Sequence, residues 1–316
     1  LNQKLAFLFP GQGSQSKGML AELIGDEAVV ADTFAEASDA LGYDLKALVL
    51  EDGEGKLDIT EYTQPALLAA STALLRLWRA RGGAEASQLA GHSLGEYSAL
   101  VGAGVIDFAD AVRLVAFRGR AMSEAVPEGV GRMAAIIGLD DDKVVEICAE
   151  SSDEESKAWA ANFNCPGQLV IAGHAAAVER AMEAAKGAGA KRALPLAVSA
   201  PSHTPLMQPA ADAMQAELAR LTLQAPDRPV WSNAQAAPLS DVDAIRDALV
   251  QQLVSPVRWT ETIQKMKAAG IGAAVEMGPG KVLAGLVRRI EKEMGVHAAF
   301  TSELIDKSMQ ETGGES

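Results

Sequence analysis

Residues that staple, metallate or anchor a protein are scarce in this chain of 316 residues. There are two cysteines, Cys148 and Cys165, and no CxxC pair. That argues against a disulfide framework and against a cysteine-rich metal site. No apolar run approaches the roughly 18 residues that a membrane-spanning helix needs. The N-terminus lacks a cationic leader followed by an apolar stretch and a small-residue cleavage site. A soluble, reducing, cytoplasmic setting is the expectation, with no membrane partner. Positive charge is also in deficit: 28 Lys and Arg stand against 42 Asp and Glu, a net charge of −14. A field of that sign repels phosphate backbones and argues against a nucleic-acid partner. At first sight it argues against a strongly acidic protein partner too. Neither internal repeats nor low-complexity blocks are present.

What is there is ordinary globular material, 48% hydrophobic and 22% charged. The length suits one large α/β domain, or a main domain carrying a smaller one. Leu5–Phe9 is a wholly apolar run closed by Pro10-Gly11-Gln12-Gly13-Ser14, which fits a strand buried on both faces of a parallel sheet. Pro65–Arg79 reads as a long apolar helix with Pro65 at its start. Gln88–Ala90 reads as a brief strand, and Glu96–Val101 as a helix. Asp107 is placed as the N-cap of a helix to about Met122.

From Val126 to about Ala200 the texture changes. Strands are expected at Met133–Gly138, Trp159–Asn162, Leu169–Ala172 and Ala193–Val198. Helices are expected from Asp140 to Ala149 and over His174–Gly187. The order β-α-β-β-α-β is ferredoxin-like. Afterwards come a helix from Thr204-Pro205 to Leu221, a strand at Pro229–Ser232, helices at Asp243–Val254 and Thr260–Ala269, a strand at Ala273–Met277, and a last long helix over Lys281–Met294. The tail from Ser308 is expected to be polar and mobile. The fold class is therefore α/β. A hydrolase-like core with a parallel sheet is expected over 1–125 and 200–316, and a small inserted ferredoxin-like α+β subdomain over 126–199.

Gly91-His92-Ser93-Leu94-Gly95 is G-x-S-x-G between a strand and a helix. Such an elbow strains the serine backbone, and only glycines leave room for so tight a turn. The helix start that follows presents free N–H groups to a developing oxyanion. An ordinary strand–helix turn with a capping serine is the plainer alternative. A nucleophilic serine needs a base, and the chain has four histidines. His92 adjoins the serine and should point elsewhere. His174 fits a capping position, and His297 has no evident acidic partner. His203 lies in Ser199-Ala200-Pro201-Ser202-His203-Thr204-Pro205, where flanking prolines limit freedom, as a held base requires.

Two glycine-rich turns imitate nucleotide loops without matching them. The first needs glycine at position 16, which is Ser16; Gly278-Pro279-Gly280-Lys281 is followed by Val282, not Ser or Thr. Arg113, Arg118 and Arg120 share one helical segment. One of them, buried near the serine, could hold a carboxylate by a bidentate contact.

Together the pieces FPGQGSQ (Phe9–Gln15), TQPALL (Thr63–Leu68), GHSLGEYSAL (Gly91–Leu100), PSH (Pro201–His203), Gln252 with Pro256-Val257 and Trp259, and EMGPGKVL (Glu276–Leu283) resemble the malonyl-CoA:acyl carrier protein transacylases of bacterial fatty-acid synthesis. The likeness runs from about Lys4 to Ile290. It implies that Ser93 is the acylated nucleophile and His203 its base. A backbone carbonyl, here of Gln252, replaces the carboxylate of a triad. The N–H groups of Gln12 and Leu94 are implied as the oxyanion hole, and Arg118 as the partner of the malonyl carboxylate. Malonyl-CoA and acyl carrier protein are the implied partners, with no metal or redox cofactor.

Two rivals remain open at this point. One is an α/β-hydrolase thioesterase, whose order is Ser, Asp or Glu, then a late His. The other is a catalytically idle carrier-docking module. The acidic carrier implied as partner also changes what −14 means. Only charge within a Debye length of about 8 Å is felt. Lys191 and Arg192 are therefore the candidate docking cations, with Lys186, Lys281, Arg288 and Arg289 as further basic positions.

Overall fold

A computed structural model of the chain describes residues 4–198 and 200–313. Ser199, at the head of the loop expected to carry the base, lies outside them. The elements run β1 (Lys4–Phe9), α1 (Ala21–Asp26), α2 (Ala28–Leu41), α3 (Leu45–Glu51), α4 (Thr60–Ala80), β2 (Gln88–Gly91), α5 (Gly95–Gly102) and α6 (Phe108–Glu124). Then come β3 (Gly131–Ile137), α7 (Asp141–Glu150), β4 (Ala158–Cys165), β5 (Gln168–His174), α8 (Ala175–Gly187) and β6 (Arg192–Pro195). A 3₁₀ turn (Pro205–Met207) leads into α9 (Gln208–Leu218), β7 (Val230–Ser232), β8 (Ala237–Leu239), α10 (Val242–Val254), α11 (Trp259–Ala268), β9 (Ile271–Glu276), α12 (Val282–Ile290), β10 (Gly295–Ala298) and α13 (Ser302–Thr312).

One sheet has the order β10-β9-β1-β2-β7-β8. Its pairs are parallel except β7 with β8. The apolar β1 and β2 lie at its centre, covered on both faces, which is why they lack alternation. The other sheet has the order β4-β5-β3-β6, all antiparallel, with α7 and α8 on one face. That is the ferredoxin-like arrangement expected from the sequence order. The α/β class with a mostly parallel main sheet also stands as expected. Among the described residues, no helix is long and apolar enough to cross a membrane.

Helix α4 is apolar on nearly every side because it is buried all round, between α2 and α6. It starts at Thr60, a full turn before Pro65. Thr63 Oγ1 donates to Leu57 O at 2.6 Å and holds that first turn. Pro65 therefore sits in the second turn, where it removes one donor without breaking the helix. Asp107 caps α6 as expected, accepting from Ala109 N and Asp110 N; such a cap contributes about 1 kcal/mol.

The C-terminal expectations need correction. Helix α12 stops at Ile290, and β10 joins the main sheet beside β9. Ser308–Thr312 belong to α13, which buries Ile305, Ser308 and Met309; residues 314–316 of the expected tail lie outside the described residues. Thr301 Oγ1 caps it by accepting from Leu304 N. His297 does have an acidic partner: its Nδ1 lies 2.7 Å from Glu311 Oε2 on that helix.

Candidate active site

The central strands end where β1 turns at Pro10 and β2 enters the elbow. A Cβ added to Gly95 would lie 2.0 Å from Phe9 O, and one on Gly91 would lie 1.9 Å from the Gly95 backbone. Both glycines are thus required by close approach. Ser93 between them has φ 52°, in the left-handed region that costs a non-glycine residue about 1–3 kcal/mol. Asn233, following β7, clamps the turn. Its Oδ1 accepts from Ser93 N and its Nδ2 donates to Gly91 O, each at 2.6 Å.

Ser93 Oγ lies 2.8 Å from His203 Nε2, and His203 Nδ1 lies 2.8 Å from the Gln252 carbonyl oxygen. A carbonyl only accepts, so Nδ1 carries the proton and Nε2 is left to take one from serine. His203 is buried and also has positive φ, 64°. Burial, then the nearby Arg118 charge, pull its pKa from 6.5 down to about 3. The imidazole is a neutral base in the free protein. In histidine-labelled protein its NMR signals should therefore keep their neutral positions between pH 5 and 8, and a titration there would refute this. The same shift makes stability fall as pH drops below 6.5, because the unfolded imidazole takes a proton that the folded one refuses.

Of the three arginines on α6, the structure brings only Arg118 to the serine. Arg113 pairs with Asp110 and Arg120 with Glu61 at the surface. Arg118 is 1% exposed. Its Nη1 donates to Gln64 Oε1 at 2.8 Å, and its Nη2 to Gln252 Oε1 at 2.8 Å and to Ser93 Oγ at 3.3 Å. Its guanidinium carbon lies 5.2 Å from the centre of the Tyr97 ring. Its Nε has no protein partner among the described residues. A buried cation with a free N–H beside the serine is suited to receive an anionic group. Glu96 is equally buried. Desolvation raises its pKa to about 7 against the pull of Asn233 N–H, the Gln252 amide and Arg118.

The turn bearing Gln12 lies against the elbow: a Cβ on Gly11 would be 2.4 Å from His92 O. Gln12 Nε2 donates to Thr60 Oγ1. Leu94 sits at the N-terminal boundary of α5, where backbone N–H groups lack helical partners. His92 points away, as expected; its Nε2 lies 2.7 Å from Asn164 Oδ1, and its ring is 5.5 Å from that of Trp259. His174 precedes α8, and its Nδ1 accepts from Lys157 N. Lys191 and Arg192 are exposed at the head of β6 and form no ion pair among the described residues. Lys186 pairs with Glu183, and Arg289 donates to Gln168. Gln64, Glu96, Asn164 and Asn233 escaped the sequence reading, as did the side-chain role of Gln252. Among the described residues, no group of three or more His, Cys, Asp or Glu could hold a metal ion.

A parallel α/β sheet with a serine–histidine pair at its elbow, and a carbonyl in place of a third carboxylate, defines an enzyme of the acyl-transferring class. The chain belongs to the acyl transferase domain family, whose model matches residues 6–311. It is 58% identical over 287 residues to the malonyl CoA-acyl carrier protein transacylase of Escherichia coli K12, covering 91% of this chain and 93% of that one. The structure of a transacylase of the same name from Coxiella burnetii superposes with a TM-score of 0.95 at 47% identity, covering 98% of both chains. A malonyl-transacylase solved in complex with its type II PKS acyl-carrier protein gives a TM-score of 0.95 at 52% identity, covering 98% of this chain and 99% of that one.

Proposed function

We propose that this enzyme moves the malonyl group of malonyl-CoA to the phosphopantetheine thiol of acyl carrier protein, supplying the extender unit for fatty-acid synthesis. One observation supports it above the others: Ser93 Oγ lies within hydrogen-bond reach of both a neutral buried imidazole and a buried guanidinium. In this reading His203 takes the Ser93 proton as Oγ attacks the thioester carbonyl. The N–H groups of Gln12 and Leu94 meet the oxyanion; one such donor is worth about 2.7–4 kcal/mol of barrier. The imidazolium returns its proton to the CoA thiolate. The carrier thiol then gives its proton to His203 and attacks the acyl-serine; the bond from the acyl carbon to Ser93 Oγ breaks, and the imidazolium returns that proton to the departing Oγ. Arg118 takes the free carboxylate, and the Gln252 carbonyl keeps the imidazole oriented. Each proton has a protein group to carry it, so the cycle needs no metal or redox cofactor. Two buried free cysteines agree with a cytoplasmic setting.

The test is to acylate the enzyme with radiolabelled malonyl-CoA and then add carrier protein. Label should pass from Ser93 to the carrier; release as free malonate would mean a hydrolase. Lys191 and Arg192 are proposed as carrier-docking cations, with 126–199 as the subdomain that presents them. Lys191→Glu with Arg192→Glu should weaken carrier use about tenfold at low salt while sparing acylation by malonyl-CoA. Equal loss of both half-reactions would reject the assignment.

A further inference from the structure

Glu96 has no part in the proton transfers above, yet it is buried in the centre of the site on α5. One carboxylate oxygen, Oε2, accepts from Asn233 N at 3.0 Å and from Gln252 Nε2 at 2.8 Å. The first bond reaches the residue that clamps the elbow. The second reaches an amide whose oxygen accepts from Arg118 Nη2 at 2.8 Å. Gln252 Nε2 also donates to Ser93 O at 3.0 Å. An amide engaged at both ends has one favourable orientation here, with its oxygen on the cation and its NH₂ on the anion. The reverse orientation would set NH₂ against guanidinium and C=O against carboxylate. Arg118 forms no direct ion pair among the described residues, and its other acceptors, Gln64 and Ser93, are neutral. The Gln252 amide is thus the link between the buried Glu96 carboxyl, an anion above its pKa of about 7, and the buried cation.

We propose that Glu96 is a positioning residue for acyl-group selection: through the Gln252 amide it holds the Arg118 guanidinium beside Ser93 Oγ, in the orientation that a malonyl carboxylate meets. The inference rests on the reading of Arg118 as the carboxylate's partner. Glu96→Gln keeps the shape and removes the orienting charge. The new amide must keep its oxygen on the Asn233 N–H, so Gln252 then donates to a neutral oxygen and its charge-assisted anchor, which holds the acceptor of Arg118 in place, is weakened. Two effects then oppose each other. Removing an anion makes the site more attractive to a carboxylate, which lowers KM or leaves it unchanged. Losing the orientation slows the step in which the carboxylate must be aligned, and that lowers the maximal rate for malonyl alone. A merely structural defect would slow malonyl and acetyl groups alike.

The experiment is rapid-quench acylation of Ser93 by malonyl-CoA and by acetyl-CoA, read by intact mass, for the wild type, Glu96→Gln, Gln252→Met and the double variant. Each single change should lower the ratio of the malonyl to the acetyl maximal rate about tenfold, and Glu96→Gln should do so with no rise in the malonyl KM. The double variant should lose no more than either single one, because both break the same link. An unchanged malonyl-to-acetyl ratio, a parallel fall for both substrates, or multiplied losses in the double variant would overturn the proposal. If Glu96→Gln does not fold, Gln252→Met decides: an unchanged ratio there removes the route from Glu96 to Arg118, and a tenfold fall supports it. Failure of the wild type to form malonyl-Ser93 would instead sink the functional reading itself.

Discussion

Ser93→Ala is expected to leave no covalent malonyl adduct and to lower transfer by roughly 10⁵–10⁶-fold, the loss seen when a serine nucleophile is removed from an intact catalytic set. The reasoning is geometric. Among the described hydroxyls, the one bonded to the His203 base belongs to Ser93, and the same oxygen touches Arg118. Without it the imidazole has no proton to take, and the two-step route through an acyl-enzyme closes. The fold should survive. The elbow is held by backbone and Asn233 contacts that do not use Oγ, and two hydrogen bonds to Oγ are worth only about 1–3 kcal/mol together. Intact mass after incubation with malonyl-CoA decides the matter. An adduct persisting on the Ala variant would move the nucleophile elsewhere.

Arg118→Ala should change selectivity more than it changes chemistry. A desolvated bidentate guanidinium–carboxylate pair makes a loss of about 10²–10³ in the malonyl kcat/KM reasonable. An acetyl group has no carboxylate to form such a pair, so any acetyl acylation should stay close to that of the parent. Removing the cation also strands Gln64 Oε1 and Gln252 Oε1, and leaves the Glu96 carboxylate facing no positive charge. Breaking up a buried charged network in this way costs about 3–5 kcal/mol, so the variant should melt earlier. Stability loss alone would depress both substrates together. The ratio of malonyl to acetyl acylation therefore separates the two effects, and a ratio equal to that of the parent would remove the carboxylate-binding role of Arg118.

The legible parts of the chain were those whose chemistry is local. The elbow was readable because strand, Gly91, Ser93, Gly95 and helix are contiguous, and the insert because its six elements follow in order. His203 was harder. Its backbone conformation and its reach to Ser93 arise from packing between segments 110 residues apart. Asn233 carried no signal, since an asparagine after a three-residue strand looks like a surface residue until the elbow closes on it; Glu96 lies inside the GHSLGEYSAL piece, but its place in an apolar helix gives it no role until its partners are seen. The C-terminal helix was misread because Glu303, Asp306, Lys307, Gln310 and Glu311 outnumber the Ile305–Met309 pair that faces the core. Arg118 was distinguished from Arg113 and Arg120 by the resemblance alone; in the fold, burial separates them.

Ser93 and His203 are both held at positive φ by surroundings drawn from distant parts of the chain. A chain in which either position rests in the commoner basins of the Ramachandran map does not hold Oγ and Nε2 as the native site does. Renatured material of native shape is thus not automatically renatured enzyme. Acyl loading is the stricter gauge of recovery, because it counts only molecules in which both rare conformations have been imposed at once.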